Sequence, residues 1–115
     1  MLISLLLAAS LYWSDADSGR FDGEAFRLHG VDAPETYRPK CEAERVAGFA
    51  AKEWMLAFTR NKQVLIVERH GSDRYGRSVV DLTADGVDVA EAGTAAGVLA
   101  RWDYDAGEAK PDWCE

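Results

Sequence analysis

Arg20-Phe21-Asp22-Gly23-Glu24-Ala25-Phe26-Arg27-Leu28-His29-Gly30-Val31-Asp32-Ala33-Pro34-Glu35-Thr36 is the stretch on which the fold turns. Asp22-Gly23 stands between two short runs bearing aromatic and apolar residues, and glycine tolerates the positive φ of a tight hairpin turn. The segment from Val31 to Cys41 holds two prolines and shows no periodicity, so it reads as a loop. Arg27 lies between Phe26 and Leu28, and strand alternation puts its side chain on the face opposite theirs. A charged residue therefore faces away from the core where a strand enters a loop that carries Asp32 and Glu35.

Outward from this stretch, Glu42 to Arg60 sets Val46, Ala50, Trp54, Ala57 and Phe58 at helical spacing, with Phe49 beside the stripe. Val64 to Val67 and Ser78 to Thr83 are rich in β-branched residues and read as strands. Asp85-Gly86 is a turn, and Val87 to Ala96 reads as a short helix weakened by Gly93. The order strand–strand–strand–helix–strand–strand–helix predicts a β-rich α+β domain, a five-stranded OB-fold barrel with two helices.

Residues 1–10 read in two ways. Leu2 to Ala9 followed by small residues resembles a secretory signal peptide, although only the α-amino group supplies its positive end. Alternatively Ile3 to Trp13 is the first buried strand. Residues 11–115 form a single domain in either case, with enough apolar material for one core at 48% hydrophobic residues. No apolar run reaches the ~18 residues of a membrane-spanning helix. The net charge of -7 argues against a broad basic surface for polynucleotides, because such surfaces bind by releasing counterions from many phosphates.

Two further short segments carry chemistry. Asp73-Arg74-Tyr75-Gly76-Arg77 offers an arginine just after a glycine bend, and Asp15-Ala16-Asp17 offers paired carboxylates. Two arginines, carboxylates for a hard cation and one spare carboxylate are the parts needed for phosphodiester hydrolysis. Taken singly, the aspartates are equally at home as turn residues bonding their own backbone.

From about Asp15 to Tyr104 the chain resembles the staphylococcal nuclease (thermonuclease) family. The resemblance implies an SNase-like OB-fold and a calcium-dependent endonuclease acting on single-stranded or flexible DNA and RNA. It implies Asp17 and Asp32 as calcium carboxylates, with Ala33 lending a main-chain carbonyl. Arg27 and Arg77 are implied as the phosphate-clamping pair and Glu35 as the general base. Arg74 and Tyr75 are implied at a terminal phosphate and Tyr104 against a nucleobase, with Trp102 a rival for that wall. One departure is Ala16, where the family has glycine between the two aspartates. Glu42 and Glu44, at the start of the helix, read as structural, and His29 and His70 as surface residues.

Cys41 and Cys114 are the two cysteines, and an even count suggests a disulfide. Such a bridge favours a secreted or periplasmic location. The expected partner is nucleic acid, with no membrane, and the expected state is a monomer. The competing function is a catalytically inactive OB-fold module that binds oligonucleotide or protein. The presence of Arg27, Glu35 and Arg77 together favours the enzyme.

Overall fold

The computed structural model describes residues 10–115, so the signal-peptide and first-strand readings of residues 1–10 lie outside the described residues apart from Ser10. The chain runs β1 (Leu11–Asp15), β2 (Ser18–Phe21), β3 (Glu24–Leu28), β4 (Val31–Asp32), α1 (Glu42–Thr59), β5 (Val64–Ser72), β6 (Ser78–Ala84), β7 (Val87–Asp88), α2 (Val89–Ala95) and β8 (Ala100–Arg101). The β2–β3 hairpin turns on Asp22 and Gly23, both at positive φ, as a two-residue loop matching strand twist requires.

The main sheet has the order β1-β2-β3-β6-β5, with β7 attached to β6. It is mixed: β3 and β6 run parallel and the other neighbours antiparallel. The expected barrel does not close, because β1 and β5 are not paired with each other among the described residues. Two causes are visible. Beyond Ile66, β5 is exposed as an edge strand paired with β6 alone among the described residues, β6 being joined on its other side to β3. Beside β1 the core is completed by α1, where Trp13 Nε1 donates to Thr59 Oγ1 at 3.2 Å. The result is an α+β fold of two helices on an open sheet.

The core gathers Trp13, Phe26, Leu28, Met55, Val80 and Leu82, all essentially inaccessible. Trp13 and Phe26 meet edge to face at 5.3 Å, a favoured geometry for aromatic quadrupoles. The inner face of α1 differs from the expected stripe. Glu44, Gly48, Ala51, Met55 and Thr59 are buried, whereas Val46 and Phe49 are exposed and Trp54 and Phe58 only flank the core. Small and polar residues form the inner face because α1 packs closely on a loop, as described below. The loop expected over residues 31–41 also opens with β4, a two-residue strand paired with β8. Neither strand is long enough to show a period.

Candidate active site

Three neighbouring elements build the centre. The β1–β2 corner presents Asp17, β3 presents Arg27, and β4 presents Asp32. The Leu28 amide donates to the Asp17 carbonyl at 2.8 Å, tying the corner to β3. Arg27 then lies between the two carboxylates, with Nη1 3.7 Å from Asp17 Oδ2 and Nη2 3.8 Å from Asp32 Oδ1. Its Nη2 also donates to the Val31 carbonyl at 3.2 Å. The Ala33 amide donates to Asp17 Oδ2 at 3.1 Å. Ala16 is buried without a positive φ, so alanine at this corner carries no left-handed strain and its methyl joins the core.

Burial pushes the Asp17 carboxyl up to about 6, and the Asp32 and Asp15 charges add to that, against the opposing pull of Arg27 and the Ala33 amide. Two buried carboxylates are hard oxygen donors, and burial makes Asp17 costly to ionise despite Arg27. That donor set fits a hard divalent cation.

Glu35 is held from two sides. On one side Asp15 Oδ1 accepts from both the amide and the hydroxyl of Thr36, at 3.1 and 2.6 Å. On the other, Glu44 accepts from the Glu35 amide at 3.2 Å and the Lys40 amide at 2.8 Å. A Cβ at Gly48 would stand 2.7 Å from the Glu35 carbonyl oxygen, so glycine is what lets α1 approach this loop. Partial burial raises the Glu35 carboxyl above the usual range; Lys110 opposes the shift, and Glu44, Asp15 and Asp32 reinforce it.

Arg77 sits behind the predicted bend, with Gly76 at φ 79°. Asp73 Oδ1 accepts from the Tyr75 and Arg77 amides, both at 2.9 Å, and Asp73 Oδ2 accepts from Arg77 Nε at 2.7 Å. Although partial burial opposes it, these bonds hold the Asp73 carboxyl below the usual range. The pairing uses Nε and leaves the Arg77 Nη atoms without a hydrogen bond among the described residues. Arg74 Nη2 donates to the Tyr75 hydroxyl at 2.8 Å.

These groups share one groove of about 1330 Å³, lined by Asp17, Arg27, Asp32, Glu35, Arg74, Tyr75, Arg77 and Tyr104. Ala33 is buried and is not part of its lining. Tyr75 and Tyr104 are exposed on its walls. Trp102 packs edge-on against Tyr104 at 5.4 Å and lies 5.3 Å from the Arg27 guanidinium, so both aromatics belong to that wall.

Three contributors lie outside the expected site residues, Glu44 in the structural role expected of it. Glu44 is buried and anchors the Glu35 loop; the Cys41-x-x-Glu44 spacing, a capping-box pattern, was the available signal. Lys110 and Trp113 are the others. Lys110 Nζ lies 2.9 and 3.0 Å from the two oxygens of Asp32, and Trp113 Nε1 donates to Oδ2 at 2.9 Å. The Cys41–Cys114 disulfide suggested by the cysteine count is formed and fastens this segment to the start of α1. His29 and His70 stack at 3.8 Å beside Asp81, and both line the same groove. No helix among the described residues is long and apolar enough to cross a membrane.

Residues 25–110 match the protein family described as staphylococcal nuclease homologue. A rice protein (Oryza sativa subsp. japonica) described as probable staphylococcal-like nuclease CAN1 is 38% identical over 86 residues, covering 75% of this chain and 23% of the rice protein. The chain thus spans about a quarter of the length of that curated relative. The family match takes in Arg27, Asp32, Glu35 and Arg77 and leaves Asp17 and Trp113 outside.

Proposed function

The chain belongs to the staphylococcal nuclease homologue family, and on that premise we propose that it is a calcium-dependent endonuclease cutting single-stranded or flexible DNA and RNA. The observation that carries this reading is the convergence of two buried carboxylates, Glu35 and two arginines on one open groove. In an OB-type reading the sheet is an opened barrel, and its strand order with a helix between the third and fourth long strands supports that view.

Calcium, held by Asp17, Asp32 and the Ala33 carbonyl, would neutralise phosphate charge as a Lewis acid. The chain's own groups do the rest. Glu35 accepts a proton from the attacking water, and its raised affinity for protons suits a general base. The water oxygen bonds to phosphorus as the phosphorus–5′-oxygen bond breaks in line with it, and the departing oxygen takes a proton from solvent, giving a 5′-hydroxyl and a 3′-phosphate. Arg27 and Arg77 present planar guanidiniums, which bind a trigonal-bipyramidal phosphorus more strongly than a tetrahedral one. Arg74 and Tyr75 hold a terminal phosphate, and Tyr104 with Trp102 stacks a base, each stacked base contributing ~1–3 kcal/mol. The disulfide supports a secreted or periplasmic location, and the protein acts as a monomer without membrane contact.

The test uses single-stranded DNA and RNA with saturating calcium. Native protein should cleave, and Glu35→Gln should be slower by about 10²–10⁴, the usual contribution of a general base. Arg77→Lys should also fall steeply, since it keeps the charge and loses the fork. Oligonucleotide binding should survive the Glu35 change. Binding without any cleavage by the native protein would replace the enzyme with an inactive nucleic-acid-binding module.

A further inference from the structure

We infer that Lys110 is an internal cation for the Asp32 carboxylate, competing with a divalent ion for it, and that the Cys41–Cys114 disulfide strengthens the competition by tethering the lysine. This rests on Asp32 being a metal carboxylate. Asp32 is only 2% exposed, yet both its oxygens are taken by Lys110 Nζ, at 2.9 and 3.0 Å. Trp113 Nε1 adds a third bond, to Oδ2, at 2.9 Å. A divalent ion on the same two oxygens would meet the ammonium at contact distance, and like charges that close repel strongly where water is scarce. One cation therefore gains Asp32 at the expense of the other.

The segment carrying Lys110 is built to stay. Cys114, four residues on, is bonded to Cys41 at the N-cap of α1. The Lys110 ammonium also lies 5.6 Å from the Trp102 ring, whose indole donates to the Glu108 carbonyl. Between this strap and the start of α1 is a cleft of about 240 Å³, with Glu35, Glu44 and Trp113 in its walls. A tether this short gives the lysine a high effective concentration at Asp32. Cutting the tether needs two electrons. A dithiol reductant gives its two protons and two electrons to the disulfide, forming thiols at Cys41 and Cys114, and is itself oxidised to a cyclic disulfide. The freed strap then holds Lys110 less firmly, and the divalent ion binds more tightly.

Calcium affinity, measured by calorimetry on the full chain without nucleic acid, tests this. Lys110→Met keeps the aliphatic stem and the disulfide, and should bind calcium about 5- to 150-fold more tightly than native, the span of ordinary coupling between competing sites. Lys110→Arg should keep the native affinity. Dithiothreitol should tighten calcium binding by native protein and leave Lys110→Met nearly unchanged, with circular dichroism confirming that the reduced chain is folded. If Lys110→Met matches native while Asp32→Asn abolishes binding, the competition is refuted and the metal site stands. If neither native nor Lys110→Met binds calcium, the metal reading and the competition both fall.

Discussion

Asp17 is buried beside Arg27, yet its carboxyl is pushed up to about 6 because burial outweighs that single attraction. A raised folded-state value means that the folded protein holds the proton more tightly than the unfolded chain does. Stability is therefore gained as pH falls from about 6 towards 3.8, and ionisation above 6 is a cost. At 1.36 kcal/mol per pH unit the shift corresponds to about 3 kcal/mol at pH 7. Asp17→Asn, which keeps an acceptor for the Ala33 amide, should raise the metal-free melting temperature at pH 7. The gain should vanish below about pH 4, where the native carboxyl is protonated in both states. Thermal unfolding in chelator across this range checks it, and an equal loss of stability at every pH would show that the charge costs nothing. At this scale, what was legible was local. The outward face of Arg27 follows from alternation between Phe26 and Leu28, and the bend before Arg77 follows from Gly76. Lys110 was illegible because its partner is 78 residues away and no periodic signal links them.

The elements were legible where neighbouring residues decide them, as in the β2–β3 hairpin and the extent of α1. The inner face of α1 departs from the apolar stripe because the helix turns Glu44 and Gly48 towards the Glu35 loop. Periodicity finds apolar contact and is blind to a helix packed on backbone. Gly48→Ala tests this packing. Its Cβ would lie 2.7 Å from the Glu35 carbonyl oxygen and 3.1 Å from that of Pro34. Since backbone has to move, the expected cost is about 1–3 kcal/mol, as for other overpacked sites. Cleavage should fall further than that loss of stability explains, because the displaced segment carries Glu35 itself. Urea unfolding alongside the cleavage rate separates the effects, and an alanine variant that is as stable and active as native would overturn the close approach. Helix propensity works in the opposite direction, favouring alanine by about 1 kcal/mol.

Across the whole molecule the succession of long strands and helices was readable, while closure and the short strands β4, β7 and β8 were not, because their pairing depends on tertiary contacts that no local pattern encodes. The net charge of -7 is the other global property, and it contradicts nothing in the groove. Arg27 and Arg77 line it, each beside a carboxylate, and the other arginines in its walls share it with Asp15, Asp103, Asp105 and Glu108. Binding should therefore release few counterions. With two or three phosphates neutralised at ~0.7 each for a single strand, the logarithmic salt slope should be no steeper than about -2. Screening should flatten it further, since added salt also weakens repulsion between the acidic surface and the strand. Fluorescence anisotropy of a labelled oligonucleotide with Glu35→Gln and calcium, between about 50 and 200 mM salt, measures that slope without cleavage. A slope steeper than about -4 would require about six phosphate contacts, twice those of Arg27, Arg74 and Arg77, and would extend the substrate interface beyond these three to further basic residues such as Arg20 and Arg101.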